Sequence, residues 1–278
     1  MTPIYYHPEQ EASYDFISIT KIPEFVRQSG RKPEHVDLLE PSDLHCAHFS
    51  EFVDGVMAGK QPNGFGNRKA TVNQAVMASN SAFFEAATRV LRHGGVACAA
   101  TQGFHHAHWD HCWGYCTFNG LMVAAIRAVN SGARVLIVDG DAHHGDGTDD
   151  IIARLGLQDS VTNVTRHLLS KEKFRKYPYE MWEALFQGLI RTYKPSIIMY
   201  QAGADAWDQD PYGAGYLSKE GLAARDRGLF KAARGLGVPV VWNLAGGYSD
   251  PMQLTIDLHL QTLAISDEVY HGSTDSQK

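Results

Sequence analysis

Cysteine is scarce in this chain: Cys46, Cys98, Cys112 and Cys116 are the only four in 278 residues. That is too few for a disulfide scaffold of this size, and reduced thiols in a cytosol are the default. A surplus of positive charge is also lacking. Lys and Arg number 25 against 31 Asp and Glu, a formal net charge of −6, which argues against a sequence-independent phosphate-binding surface and so against a nucleic-acid partner. No apolar run approaches the ~20 residues that span a bilayer. Met1 to Gln10 has no basic segment leading into an apolar one, so neither a membrane partner nor a secretory signal is expected. No fixed-period repeat, low-complexity block, Walker A sequence or Gly-x-Ser-x-Gly sequence occurs, and Gly64-Phe65-Gly66 is too short for a phosphate-binding fingerprint. With 44% hydrophobic and 20% charged residues, the composition describes a soluble, cytoplasmic globular chain able to bury a sizeable core; a homo-oligomer stays open. What the chain does have in number is histidine, 14 in all.

Five short apolar runs, 96–100, 134–138, 161–165, 196–200 and 238–242, are rich in β-formers, bounded by turn signals and too short for helices. They are apolar at nearly every position rather than at every second one, so both faces are covered, as in a parallel sheet. Between them, helical patterns run over 71–91, 121–130, 180–193 and 218–236, the last with Ser218 as N-cap. This alternation predicts an α/β fold: one domain over 1–265, with a central parallel β-sheet flanked by helices on both faces. Residues 266–278 are polar and predict a loose C-terminal tail.

Polar residues gather where the strands end. Gln102-Gly-Phe-His105-His106 follows the first, Asp139-Gly-Asp141-Ala-His143-His144-Gly-Asp146-Gly the second, Gly203-Ala-Asp205 the fourth, and Gly246-Gly247-Tyr248 the fifth. Sites in open α/β sheets form beyond the carboxyl ends of the strands, so one composite site is expected here. In the second segment, period-two geometry sends Asp139, Asp141 and His143 to one side and His144 to the other. Carboxylate and imidazole at this spacing can share a cation, and both are ordinary zinc donors. A cluster of caps and turns would use the same residue types, but three aspartates and two histidines leaving an apolar strand are costly to desolvate without a metal or partners. Asp205 supplies a third ligand from a separate strand, although alone a strand-end Asp is more often a cap than a ligand. Two aspartates and one histidine leave a coordination position open, as catalytic sites require.

His105 and His106 point in different directions, so they line a pocket rather than share a cation, and Asp139 and Asp146 are the carboxylates free to fix their tautomers. A structural zinc held by His105, His106, His108, His111, Cys112 and Cys116 is the rival reading; the paired ligand spacing it needs is missing. Tyr248, after two glycines, is equally an oxyanion donor or a ring closing a turn.

These residues resemble the zinc-dependent histone deacetylase and acetylpolyamine amidohydrolase family, which shares its fold with arginase. The resemblance is carried by Gly103-Phe-His-His-Ala107 with Gly114-Tyr-Cys-x-x-Asn119, Val138-Asp-x-Asp-x-His-His-Gly-Asp-Gly147, Ala202-Gly-Ala-Asp-Ala206 with Asp210-Pro-x-Gly213, and Gly246-Gly-Tyr248. It implies one zinc per chain on Asp141, His143 and Asp205. His106, paired with Asp146, would be general base and then acid; His105, paired with Asp139, would support the electrostatics; and Tyr248 would stabilise the tetrahedral intermediate. Gly114, Tyr115, Tyr212, Gly246 and Gly247 would contact an acyl-lysine or small-molecule substrate. A structural potassium ion would use Asp139, Asp141, His143, Thr165 and Arg166.

The sequence also departs from the family pattern. The family's Pro-Gly-Thr-Gly-containing loop is missing, and residues 171–178 stand in its region. Asn67 is the nearest polar candidate for the aspartate that grips a peptide backbone, and Tyr212 stands where polyamine-selective members carry a Glu. An arginase-like binuclear manganese hydrolase, with His144 and Asp146 as ligands, and a non-catalytic acyl-lysine-binding module are the alternatives.

Overall fold

A computed structural model describes residues 1–11, 16–165, 180–213 and 216–272. Its centre is a parallel sheet of β1 (Ile4–Tyr5), β2 (Val96–Ala99), β3 (Val135–Asp139), β4 (Val161–Val164), β5 (Ile197–Gln201) and β6 (Val240–Asn243), in the order β1-β2-β6-β5-β3-β4. The helices are α1 (Ile17–Gln28), α2 (Ser50–Met57), α3 (Ala70–His93), α4 (Gly120–Asn130), α5 (Asp146–Leu155), α6 (Met181–Tyr193), α7 (Lys219–Gly235) and α8 (Gln253–His271).

Alternate residues of each inner strand feed opposite cores. Val135, Ile137, Ala97, Met199 and Val241 pack with the apolar faces of α2, α3 and α4. Leu136, Val138, Cys98, Tyr200 and Trp242 pack with those of α1, α6, α7 and α8. With helices on both sides, a polar side chain on an inner strand is costly to bury, which explains the largely apolar runs of β2, β3 and β5. The four inner strands end level with one another: Ala99 pairs Asn243, Asn243 pairs Gln201, and Gln201 pairs Asp139. Their C-terminal loops therefore open side by side. No helix of the described residues is long and apolar enough to cross a membrane.

Two expectations need correction. The tail does not begin at 266, because α8 continues to His271 with Ser266 buried. Asp267 accepts from Thr2 N at 2.6 Å and pairs with Arg31, while Ser266 meets the Thr2 hydroxyl at 2.9 Å, so contacts with the N-terminal segment hold a polar stretch that composition alone leaves loose. Residues 273–278 lie outside the described residues. The second correction is that β3 stops at Asp139 and the chain bends through 141–143, so strand alternation is not what aligns Asp141 with His143. The bend does so, with His143 N donating to Asp141 Oδ1 at 3.0 Å.

Candidate active site

The four adjacent loops build one cleft of about 210 Å³, lined by His105, His106, Trp113, Gly114, Tyr115, Asp141, His143, Tyr212, Gly246 and Tyr248 among others. At its floor, Asp141, His143 and Asp205 offer ligand atoms that all lie within 4.8 Å of one another. His143 Nδ1 is 3.0 Å from Asp141 Oδ1 and 3.1 Å from Asp205 Oδ2. Backbone amides hold both carboxylates: Gly246 N donates to Asp141 Oδ2 and Ala142 N to Asp205 Oδ1, each at 3.1 Å. A Cβ on Gly246 would lie 2.5 Å from Asp205 Oδ2 and 2.6 Å from Asp141 Oδ2; only glycine lets the chain pass over the pair.

The electrostatics of this triad match a cation site. Burial and the neighbouring Asp141 raise Asp205 to about 7, and hydrogen bonds to Asp141 and Asp205 raise His143 to about 11. Two buried carboxylates in contact cannot both stay ionised without positive charge between them; burial and Asp141 favour a proton on Asp205, and the two carboxylates favour one on His143. A divalent cation would replace those protons, and two carboxylate oxygens with one imidazole nitrogen form a donor set that suits zinc. Among the described residues this is the only such group. The rival cysteine site does not form: Cys112 Sγ turns to Pro62 O, and Cys116 is buried in the cleft wall.

The two neighbouring histidines each lie on a carboxylate. His105 Nδ1 is 2.7 Å from Asp139 Oδ2, and His106 Nδ1 is 2.7 Å from Asp146 Oδ1. Each contact fixes the Nδ1–H tautomer and leaves Nε2 as the other nitrogen. Burial alone would lower His105, but Asp139 and Asp141 outweigh it and hold the imidazole at about 9. Burial and the charge on His105 push His106 down to about 4, against the bond to Asp146. The Trp113 ring packs 4.3 Å from that of His106.

On the opposite wall stands Tyr248, its N–H donating to Asp210 Oδ2 at 2.7 Å. Asp210 also accepts from Tyr212 N and Gly213 N, which joins the two tyrosine loops. Burial, with Asp141 and Asp205 nearby, raises the phenol well above its ordinary value and keeps it a donor. Lys21, buried on α1, donates to Ala245 O at 2.6 Å and Gly247 O at 3.3 Å, with its ammonium 5.6 Å from the centre of the Tyr248 ring. Tyr115, at φ 63°, stacks on Phe16 at 4.1 Å. A Cβ on Gly114 would lie 2.6 Å from the His106 ring.

Some expected site residues fall elsewhere. Gly247, at φ 137°, packs toward Thr255 and Ala204 instead of lining the cleft. Thr165 Oγ1 accepts from Gly145 N at 2.8 Å and lies 3.5 Å from Asp139 Oδ2, while Arg166 and residues 171–178 lie outside the described residues. His144 turns to Asp149 at 2.8 Å and Asp146 to His106, so neither is placed to hold a second metal. The residues that sequence reasoning missed are Gln201, which donates to Asp139 at 3.1 Å and accepts from Phe104 N at 3.0 Å, together with Lys21, Asp210, Phe16 and Trp113. Only Asp210 sits inside a quoted motif; the others carry no local signal.

Comparison with known proteins bears on family and fold. Residues 7–180 and 165–263 match the family described as Histone deacetylase domain. An uncharacterized protein of Picosynechococcus sp. is 26% identical over 303 residues, covering 96% of this chain and 99% of its own. The acetylpolyamine amidohydrolase of Mycoplana ramosa is 30% identical over 173 residues, covering 53% of this chain and 50% of its own; the aligned part is thus about half of that relative. The crystal structure of the HDA15 HD domain superposes with a TM-score of 0.77 at 18% identity, covering 95% of this chain and 90% of that one, which is a likeness of fold.

Proposed function

This chain belongs to the histone deacetylase domain family, and from that premise we propose that it is a zinc-dependent amidohydrolase that removes an acetyl or related acyl group from lysine or a small amine. The observation that carries the reading is the convergence of Asp141, His143 and Asp205 on the floor of the cleft that His106 and Tyr248 also line. Zinc held by these three residues would supply Lewis acidity, polarising the substrate carbonyl and lowering the pKa of a water.

The remaining chemistry belongs to the chain. His106, neutral near pH 7 and fixed by Asp146, takes the proton of the attacking water at Nε2 and passes it to the leaving amine. Tyr248 donates to the oxygen on which negative charge develops. His105, bound to Asp139, places positive charge behind the base. Tyr115, Tyr212, Gly114 and Gly246 form the walls for the acyl amide and its stem. A structural potassium ion beside Asp139, Asp141, His143 and Thr165 is part of the same proposal.

The test is removal of metal by a chelator and its return. Hydrolysis of an acetyl-lysine peptide, an acetylated polyamine or a small acyl amide is expected to vanish and to recover with a single equivalent of zinc. Activity indifferent to metal would overturn the proposal, and stoichiometric binding of every substrate without turnover would make the chain a binding module.

A further inference from the structure

Arg225 is buried on α7 and does not line the cleft. Its Nη1 donates to two carbonyls, Gly140 O at 2.7 Å and Gly203 O at 3.0 Å. Gly140 immediately precedes Asp141, and Gly203 stands two residues before Asp205. The two turns leave adjacent strands, β3 and β5. On its other side the guanidinium is fixed: Nε donates to Asp226 Oδ1 at 2.9 Å, and Asp226 accepts from the hydroxyls of Tyr200 and Thr262, the latter at 2.6 Å. A planar fork anchored in this way offers its remaining donors at a set position.

The sequence accommodates the close approach. A Cβ on Gly140 would lie 3.1 Å from Arg225 Nη1, and one on Gly203 would lie 2.7 Å from both Asp141 Cα and Asp205 Oδ1. If the turns separated, two buried carbonyls would lose the donor they share, a costly loss where water cannot take its place. The arrangement is therefore stiff against movement of Asp141 relative to Asp205.

We infer that Arg225 is a positioning residue for the metal-binding triad: it sets the separation of the Asp141 and Asp205 carboxylates by holding the carbonyls of the turns that carry them. This rests on the reading of Asp141, His143 and Asp205 as zinc ligands and deepens it.

The test measures zinc affinity by competition with a chromogenic chelator, the absorption spectrum of the cobalt-substituted protein, and the thermal midpoint of the metal-free chain. Arg225→Met is the direct variant. Arg225→Lys keeps a cation that cannot serve both carbonyls and Asp226 with the same planar fork, so it stands in if the first fails to fold. Val90→Ala opens the core on the other face of the sheet without touching Arg225, Asp226 or either carbonyl, and serves as the control. Zinc affinity is expected to fall about ten- to a hundredfold in the arginine variants, the range seen when groups behind metal ligands are removed, with an altered cobalt spectrum. In Val90→Ala the midpoint should fall while affinity stays within about twofold. A folded arginine variant with wild-type affinity and cobalt spectrum overturns the inference, as does loss of affinity in all variants in proportion to midpoint. Wild-type protein that binds no zinc overturns the inference and the metal reading together.

Discussion

His105 and His106 are consecutive, their rings are 4.1 Å apart, and each reaches a carboxylate at 2.7 Å, yet one is held at about 9 and the other at about 4. Burial opposes charge on both. The difference lies in what surrounds them. His105 faces Asp139 and Asp141, with Asp205 beyond, whereas for His106 the half-buried Asp146 and Asp141 are opposed by a neighbouring cation, His105. A His–Asp contact alone therefore says little about protonation. The count of charges within a few ångströms decides it, and here it favours the charged form of His105 and the neutral form of His106, both of which line the cleft.

The largest effect that tests this contrast is loss of the base. His106→Ala should lower kcat by about 10²–10⁴-fold, the usual worth of a general acid–base group. His105→Asn, which removes charge but no proton carrier, should lose less; equal losses in single-turnover assays would erase the distinction. Next in size, Tyr248→Phe should lower kcat about 10²–10³-fold, as loss of an oxyanion donor does, without the change in pH profile that the histidine variants produce. A smaller effect is the acid limb of kcat/KM. Protonated His106 cannot accept a proton, so activity falls as pH drops through its pKa, and with that pKa near 4 the limb should lie below the ordinary histidine value of about 6.5. A divalent cation at the triad acts in the same direction. Removing the neighbouring cation by His105→Asn should move the limb upward; a limb that stays put would show His105 neutral in the working protein. The smallest effect belongs to Trp113→Ala. Desolvation is the main force lowering His106, and opening the wall its ring packs against should raise the limb by less than about one unit, in the range of modest environmental shifts.

Much of this edge is legible in the sequence because burial on both faces writes strands as apolar runs and leaves Asp139, Asp141, His143, Asp205 and Tyr248 conspicuous at their ends. Asp139 and Asp146 could be offered as histidine partners by elimination. Other features depend on contacts between distant segments. β1 has two residues, too few for a pattern. α1 contains Pro23, a residue that ordinarily ends a helix. Ser266 and Asp267 look like tail until Thr2 and Arg31 are placed against them. Lys21 and Arg225 are the clearest cases, since a cation on an amphipathic helix reads as solvated, and only the packed molecule shows each one buried against a loop of the candidate site.

Lys21 also bears on how the molecule could be dissected. A fragment beginning at Ala70 would retain every ligand, both imidazoles and the phenol, and would look complete on paper. It would nevertheless lack the ammonium that ties down Ala245 and Gly247, 224 and 226 positions further along. Ala245 sits at φ 58°, a backbone region that non-glycine residues seldom occupy unaided. The opening helix is thus a working part of the far end of the chain, and trimming it away would dismantle the turn that presents the hydroxyl.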